Sequence, residues 1–239
     1  MRGAQSARRA VLLITDPGES PRSLLRAIAK LHLNCRTHTE IALAGGVRTR
    51  DVLSTVEKIA AYSDVPVLVM TYWNPIERYG VDRFAADFAG VGGAGLITPD
   101  LIPDEGAEWI AAADKHELDK VFLVSPSSTD ARIAMTTAAC RGFVYATAVM
   151  GVTGARDKPS ELAAPLVARV KAATELPVGV GLGISNGDQA AGMGAFADAV
   201  IVGAALVRAL GDGGAAGVRA LTEDLAAGVR REPRAPAER

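Results

Sequence analysis

Aromatic residues make up only 5% of this 239-residue sequence, and its formal net charge is −1 because basic and acidic residues nearly balance. So few aromatic rings leave no platform on which bases could stack. The balanced charge gives no attraction to a polyanion. Both absences argue against a protein that binds nucleic acid.

Cysteine, signal segments and long apolar runs are scarce as well. The two cysteines, Cys35 and Cys140, cannot build a disulfide framework, and the start MRGAQSARRA has arginines but no apolar run typical of a secretory signal. No apolar run approaches the ~18 residues that predict a membrane span. We therefore expect a cytoplasmic protein with no membrane partner.

Short β-branched runs that end in Gly, Pro, Asp or Ser alternate with longer, Ala-rich segments of helical period. The short runs predict seven strands, at residues 10–15, 66–72, 94–99, 120–125, 142–149, 177–183 and 198–203. The longer segments predict helices at residues 20–31, 49–62, 81–88, 105–116, 130–139, 160–173, 188–193 and 218–230. The run GDGGAAG after Leu210 is expected to form a flexible turn.

Strands that are apolar on both faces and separated by crossover helices predict a parallel sheet covered by helices. Both a doubly wound sheet and a (β/α)8 barrel have this arrangement. Seven strands and one obscure segment at 32–40 favour the barrel, in which the active site follows the carboxyl ends of the strands. We expect residues 1–230 to form one domain, and residues 231–239 to be a disordered tail.

Three glycine-bearing turns, at residues 150–156, 181–185 and 202–206, follow the last three predicted strands. A glycine backbone N–H can approach an oxyanion closely, and a helix N-terminus adds its positive dipole end. Barrels often bind phosphate in the last two such loops. The turns therefore predict a phosphate site at Gly181, Gly183 and Gly203, closed by Thr153 and Gly154. Alternatively, each glycine only permits a tight turn.

Several stretches are similar, in order and spacing, to the tryptophan synthase alpha chain family: MTYWNPI, GLITPDLIPDE, FLVSPSS, GFVYATAVMGVTGARD, LPVGVGLGIS and DAVIVGAALV. The resemblance runs from about Gly45 to the last helix, and less clearly over the start of the chain. It implies a (β/α)8 barrel that splits indole-3-glycerol phosphate into indole and glyceraldehyde 3-phosphate. It also implies a pyridoxal-phosphate beta chain as the partner that receives the indole. We expect no cofactor in this chain itself.

The resemblance assigns residues to two parts of a binding site. The phosphate would be held by Thr153, Gly154, Gly181, Leu182, Gly183, Ile184 and Gly203. The pocket for the indole ring would be lined by Tyr72, Ile97, Asp100, Phe122 and Tyr145. The family usually has serine after the glycine of the last strand, whereas this chain has Ala204. One hydroxyl donor to the phosphate is therefore lost.

The family's reaction depends on two carboxylates that this sequence does not show. They are a glutamate at the end of strand 2 and an aspartate on the following loop, in a stretch similar to ELGVPFSDPLADGP. Here the chain passes from LLRAIAKL through HLNCRTH to TEIALAGGVRTRDVL. Roughly twenty residues of the barrel pattern are missing. We therefore expect strand 2 and its loop to be shortened or absent.

Three other carboxylates are candidate catalytic replacements. Asp16 and Asp100 both end predicted strands, and Glu40 lies where the family pattern resumes. Each also has a structural interpretation. Asp16 could form a turn or cap a helix, Glu40 could stabilise a helix start, and Asp100 could order its loop.

His32, Cys35 and His38 form the one cluster of metal-ligand types in this part of the sequence. On a helix they would share a face, but on a strand Cys35 would point away from both histidines. Three ligands without a fourth give weak support for zinc, so we expect no metal site. A histidine acting as a general base is the other functional interpretation, and an ordinary surface segment is the structural one.

Three functions follow. The main prediction is a repurposed enzyme that keeps the phosphate site and apolar pocket for another phosphorylated or diphosphorylated hydrophobic substrate, such as a prenyl diphosphate. The first alternative is a functional alpha subunit, whose indole-3-glycerol-phosphate lyase activity we expect to be weak or absent because a positioned acid or base is typically worth 10² to 10⁴ in rate. The second is a non-catalytic activator of a beta chain. The expected partners are a small phosphate or diphosphate ester and either a beta chain or a second copy of this chain.

Overall fold

The structure, a computed structural model, describes residues 10–13, 44–62, 64–147, 162–181 and 183–231. Within these ranges, strands β1 to β8 span Ala10–Leu13, Val67–Met70, Gly93–Ile97, Asp119–Val121, Leu123–Val124, Val144–Thr147, Val178–Gly181 and Ala199–Val202. Helices α1 to α8 span Thr49–Ala60, Trp73–Tyr79, Val81–Gly90, Ala107–Lys115, Asp130–Ala139, Ala163–Lys171, Gly187–Gly194 and Ala204–Val229. Among these helices, none is both long enough and apolar enough to cross a membrane.

Local capping explains where some of the helices begin. At the start of α5, the Thr129 hydroxyl accepts a hydrogen bond from the N–H of Arg132 at 3.2 Å. At the start of α7, the Asn186 side chain accepts one from the N–H of Gln189 at 2.9 Å. Each cap satisfies one of the backbone donors that a helix N-terminus leaves without an intrahelical partner.

The strands pair in parallel, in the orders β1-β8-β7-β6-β5 and β2-β3-β4. Only Phe122 separates β4 from β5, so the two sheets follow one another directly along the chain. From β2 onward neighbouring strands follow the order of the sequence, and the first strand then pairs with the last. This order, with the first strand beside the last, is that of a (β/α)8 barrel, although among the described residues no pairing joins β4 to β5 or β1 to β2.

Both sheets face the same interior. A cluster of buried side chains joins Ile97 of β3, Val121 of β4, Tyr145 of β6 and Ile201 of β8. On β6, β7 and β8, the alternate residues point the other way and pack beneath the helices: Val144, Ala146, Val178, Val180, Val200 and Val202. The two-residue period of a strand therefore separates a barrel interior from a helix-covered outer layer.

The predicted strands agree with the observed ones to within a few residues, and α5 has the predicted bounds. The observed helices differ from the predicted ones in two places. Helix α2 was not predicted. The run GDGGAAG lies inside α8, where two helical segments meet at a kink, and the first of these segments, which begins at Ala204, was not predicted. Only Gly214 leaves the helical region there, with φ 57° and ψ −150°, and it produces a kink.

Several predictions fall outside the described residues. They are the helix at 20–31, the obscure segment at 32–40 and the tail from 232 onward. The shortening of strand 2 and its loop therefore stays a prediction, and so does the division into one domain and a tail.

Candidate functional site

Parallel strands bring their carboxyl ends to the same end of a barrel. Several predicted site residues follow such strand ends here: Tyr72 follows β2, Asp100 follows β3, Gly183 follows β7 and Gly203 follows β8. The last residue of β7, Gly181, joins them. The fold therefore gathers the two glycine-bearing turns and two predicted pocket residues at one end of the strands.

Asp100 lies at the N-terminus of helix α2. Both of its carboxylate oxygens are 3.0 Å from the backbone nitrogen of Trp73, the first residue of that helix. A carboxylate in this position satisfies a free helix N–H and interacts favourably with the helix dipole. The contact joins the loops after β2 and β3, which favours the loop-ordering interpretation of Asp100. Its catalytic role stays a prediction.

The predicted pocket residues do not all come together. Ile97 and Tyr145 are buried side by side in the barrel interior. Phe122 is equally buried but belongs to the outer cluster with Trp109 and Leu118, beneath the helices. Tyr72 is 65% exposed on the loop after β2. The structure thus places Ile97 and Tyr145 in the interior, Phe122 behind the strands and Tyr72 at the surface.

Tyr145 fits in the interior because β7 offers glycine opposite it. A Cβ atom added to Gly181 would lie 2.1 Å from the Tyr145 Oη. Burial raises the pKa of this phenol to about 12. Tyr145 is therefore neutral at ordinary pH, as a hydroxyl that can donate or accept one hydrogen bond next to the carboxyl end of β7.

The glycines of the predicted phosphate site differ in what they do. Gly183 has φ 67°, a conformation that other residues rarely adopt. Among the described residues, no atom lies within 4 Å of a Cβ added to Gly203, so that side of the glycine is open toward this part of the chain. It also precedes helix α8, which has no side-chain cap at its N-terminus. The backbone around both glycines is therefore suited to the close approach of an anion.

The other residues predicted to bind phosphate are less accessible or lie elsewhere. The side chain of Ile184 is 4% exposed and packs beneath the helices, so only its backbone could face a ligand. Ala204 is the first residue of α8 and carries no hydroxyl. Thr153, Gly154 and Leu182 lie outside the described residues. Phosphate binding stays a prediction.

Sequence reasoning gave no separate role to a group of serines at the carboxyl end of β5. The N–H of Ser125 donates to the Ser128 Oγ at 3.1 Å, and the Oγ atoms of Ser125 and Ser127 are 2.9 Å apart. Arg169 of α6 donates to the backbone oxygen of Ser128. The repeated serines in SPSS could have indicated this hydrogen-bonded turn, because serine hydroxyls commonly bond to nearby backbone in turns.

The remaining candidates cannot be placed. Asp16, Glu40, His32, Cys35 and His38 lie outside the described residues. Within the described part of the chain, no group of three or more His, Cys, Asp or Glu side chains is arranged to hold a metal ion.

Comparison with known proteins identifies relatives of the whole barrel. The family described as tryptophan synthase alpha chain matches residues 35–232. A protein of that name from Mycobacterium intracellulare is 57% identical over 200 residues, which cover 84% of this chain and 69% of that protein. One from Salinispora tropica is 60% identical over 174 residues, covering 73% of this chain and 65% of that protein. The structure of tryptophan synthase from Mycobacterium tuberculosis aligns with a TM-score of 0.84 at 48% identity, over 95% of each chain.

These relatives overturn the main functional prediction. A repurposed enzyme for another phosphorylated hydrophobic substrate, such as a prenyl diphosphate, is wrong, because relatives with more than half of their aligned residues identical are named tryptophan synthase alpha chain. The predicted (β/α)8 barrel is confirmed, since the neighbouring structure shares the fold over nearly the whole chain. The predicted lyase class is supported by the same relatives. The divergence of the active site stays a prediction.

Replacing Gly181 by alanine is expected to destabilise the barrel, because the new methyl group would lie 2.1 Å from the Oη of Tyr145 and 2.6 Å from its Cζ. Overpacking of this kind costs about 1–3 kcal/mol. Urea unfolding measures the cost of Gly181→Ala in three proteins: the native chain, Tyr145→Phe and Tyr145→Val. The loss of unfolding free energy should be slightly smaller in Tyr145→Phe, which keeps Cζ, and almost absent in Tyr145→Val.

The matched control is Gly203→Ala, which should leave the unfolding free energy unchanged because its Cβ would meet no described atom within 4 Å. If Gly181→Ala and Gly203→Ala lower the unfolding free energy equally, the packing described for Tyr145 is contradicted. It is also contradicted if Gly181→Ala costs as much in the Tyr145→Val protein as in the native one.

The stability of the protein is expected to fall in strong alkali because of Tyr145. Its folded pKa of about 12 exceeds the ordinary value of 10.0. Between these values the folded state holds more protons than the unfolded state, so the free energy of unfolding decreases as pH rises, by up to about 1.4 kcal/mol per unit for one group.

Comparing the native protein with Tyr145→Phe isolates this contribution, since the variant has no phenol to ionise. Cys140, whose thiol pKa burial raises to about 11, adds a slope that both proteins share. Denaturant unfolding from pH 9 to 12 should therefore give a shallower decline for the variant. Parallel curves would mean that the Tyr145 phenol is not held neutral by burial.

Proposed function

Because the chain belongs to the tryptophan synthase alpha chain family, we propose that it acts as an alpha subunit that splits indole-3-glycerol phosphate into indole and glyceraldehyde 3-phosphate. The observation that carries the proposal is the high identity to proteins of that name over most of the chain. The apolar interior and the glycine turns at the carboxyl ends of the strands agree with such a substrate, which has an apolar ring and a phosphate.

The proposed substrate would lie across the carboxyl ends of the strands. Its indole ring would rest above the buried side chains of Ile97 and Tyr145, which give an apolar floor. Its phosphate would accept hydrogen bonds from the backbone around Gly183 and Gly203, near the N-terminus of α8. This binding mode uses fixed backbone donors and requires no charged side chain.

Cleavage of the carbon–carbon bond moves two protons. One is removed from a hydroxyl of the glycerol chain, which becomes the aldehyde, and one is added to the ring carbon that leaves as indole. Groups that move these protons are typically each worth 10² to 10⁴ in rate. The sequence lacks the family stretch that carries the two carboxylates, and Asp100 is engaged with the N-terminus of α2. We therefore propose that this chain turns over its substrate slowly.

We also propose that a beta chain docks on the carboxyl-end face. Two large apolar side chains are exposed there: Tyr72 is 65% exposed after β2, and Ile102 is 43% exposed after β3. Apolar groups at the surface of a loop are typical anchors of a protein interface. If indole passes directly to the beta chain, the beta chain must bind on the face where indole forms, at the carboxyl ends of the strands.

Purified chain is expected to release indole from indole-3-glycerol phosphate, with a kcat on the order of 10² lower than that of an alpha subunit that has both carboxylates. Indole is measured by its absorbance or by coupling to a beta chain. Glu40→Gln should abolish the remaining turnover if Glu40 is the replacement acid. Gly203→Asp should raise KM strongly, because its carboxylate would repel the substrate phosphate, and it should do so more than Gly203→Ala, which adds bulk but no charge.

The controls separate the parts of this proposal. Glyceraldehyde 3-phosphate must appear with indole in equal amounts. No indole from the native chain, with or without a beta chain, would contradict the lyase function. Stimulation of beta-chain turnover without any indole release would instead indicate a non-catalytic activator.

Tyr72→Asp is expected to weaken association with a beta chain, because a charge at the centre of an apolar contact must be desolvated. Tyr62→Asp is the matched control, since Tyr62 is 92% exposed and precedes β2, at the opposite end of the strand. Association is measured by sedimentation velocity or biolayer interferometry. Equal weakening by both variants, or by neither, would contradict the proposed docking face, and self-association without a beta chain would indicate a homo-oligomer.

A further inference from the structure

We propose that Asp224 and Gln189 are positioning residues that hold the turn between β7 and α7, residues 183–186, in the shape that binds the substrate phosphate. This inference rests on the proposed function, since it concerns the same site. Neither residue belongs to the candidate site, because both reach the turn from helices. Their contacts lie at the two ends of a short segment that begins with Gly183.

The first support comes from the last part of helix α8. The Asp224 Oδ2 accepts a hydrogen bond from the N–H of Gly187, the first residue of α7, at 2.6 Å. The contact is too close for any side chain at position 187, where an added Cβ would lie 2.5 Å from the Asp224 backbone oxygen. Gly228 also lies against Gly187, since a Cβ added to Gly228 would be 2.0 Å from the Gly187 backbone oxygen. The two helices therefore touch backbone to backbone.

This part of α8 is firmly anchored, so it can act as a fixed support. Leu225 and Val229 are fully buried in the cluster that also contains Ile184, Ala190 and Met193. An ion pair between Arg231 and Asp188 adds a further link from the end of α8 to the start of α7. A turn fixed to such a support moves less than one fixed only by its own residues.

The second support comes from inside α7. The Gln189 Oε1 accepts hydrogen bonds from the N–H of Ser185 at 2.7 Å and from its hydroxyl at 3.1 Å. The N–H of Gln189 in turn donates to the Asn186 side chain at 2.9 Å. These bonds occupy the N–H and the hydroxyl of Ser185, which are then not available to a ligand. In this proposal, the backbone at Gly183, two residues earlier, is the part of the turn that faces the phosphate.

Helix α8 connects this turn with the other predicted phosphate turn. It begins directly after Gly203, and its far end carries Asp224. The two parts of α8, which meet at the kink at Gly214, therefore reach one turn each, and the second part packs on α7. Asp224 contributes to the relative position of the two turns, because its side chain bonds to the α7 backbone.

The proposal predicts weaker phosphate binding with an unchanged kcat. Asp224→Ala should raise the Kd for glycerol 3-phosphate and the KM for indole-3-glycerol phosphate by roughly tenfold, the effect of losing one charge-assisted hydrogen bond, while kcat stays the same. Asp224→Asn keeps an oxygen acceptor and should restore most of the affinity. Gln189→Met removes the acceptor of Ser185 by a different route and should act in the same direction.

Glu223→Ala is the matched control, because Glu223 is the exposed neighbour of Asp224 on the same helix. Calorimetry with glycerol 3-phosphate measures the Kd, and circular dichroism confirms that each variant is folded at the assay temperature. Affinity within twofold of the native protein for both Asp224→Ala and Gln189→Met overturns the inference. So does an equal loss in Glu223→Ala, or a fall in kcat with KM unchanged.

The same measurements separate this inference from the proposed function. If the native chain binds glycerol 3-phosphate but releases no indole, the lyase function fails and the variants still test the positioning role through Kd alone. If the native chain binds no phosphate ester, both the inference and the phosphate site are overturned.

Discussion

The space inside the barrel is the constraint on which the rest of the structure depends. Parallel strands with a two-residue period send every second side chain into one narrow interior. Large residues enter it from β6 and β8, and they fit only because β7 supplies glycine. A Cβ on Gly179 would lie 3.0 Å from Ile201 and 3.3 Å from Phe143, while one on Gly181 would overlap Tyr145. The sequence VGVG thus alternates valines for the outer layer with space for the inner one.

Because the interior is filled, a ligand can only bind above it, where the strands end. The same glycine that makes room for Tyr145 is the last residue of β7 and begins the turn that leads to Gly183. Packing and binding therefore meet at Gly181. The burial that fixes the Tyr145 ring also keeps its phenol neutral, so the floor of the site carries no charge that would oppose a phosphate nearby.

The hydrophobic pattern predicted the strands and most of the helices, because alternation and helical period are local properties of the chain. It failed where distant residues decide the structure. Helix α2 contains Asn74 and Pro75, yet it forms with Asp100 bound to its first N–H from 27 positions away. Phe122 was expected in the pocket, but its neighbours Val121 and Leu123 face the interior, so strand alternation turns it outward. The long-range contact that supports α2 cannot be read from a short window of sequence, whereas the outward orientation of Phe122 follows from strand alternation and differs from the position that the family resemblance implied.

In the proposed function, substrate binding and proton transfer depend on different parts of this chain, so a family member without the usual carboxylate stretch would keep one and lose the other. The match to the family extends over residues 35–232, which include strands β2 to β8, the glycine turns and the exposed residues of the carboxyl-end face. In the function proposed above, these features would set ground-state affinity and partner contact. The absent carboxylate stretch would act on the transition state, where removing a group lowers kcat and leaves ground-state binding largely intact. A chain with this sequence is therefore expected to recognise the family's substrate and partner better than it performs the family's reaction.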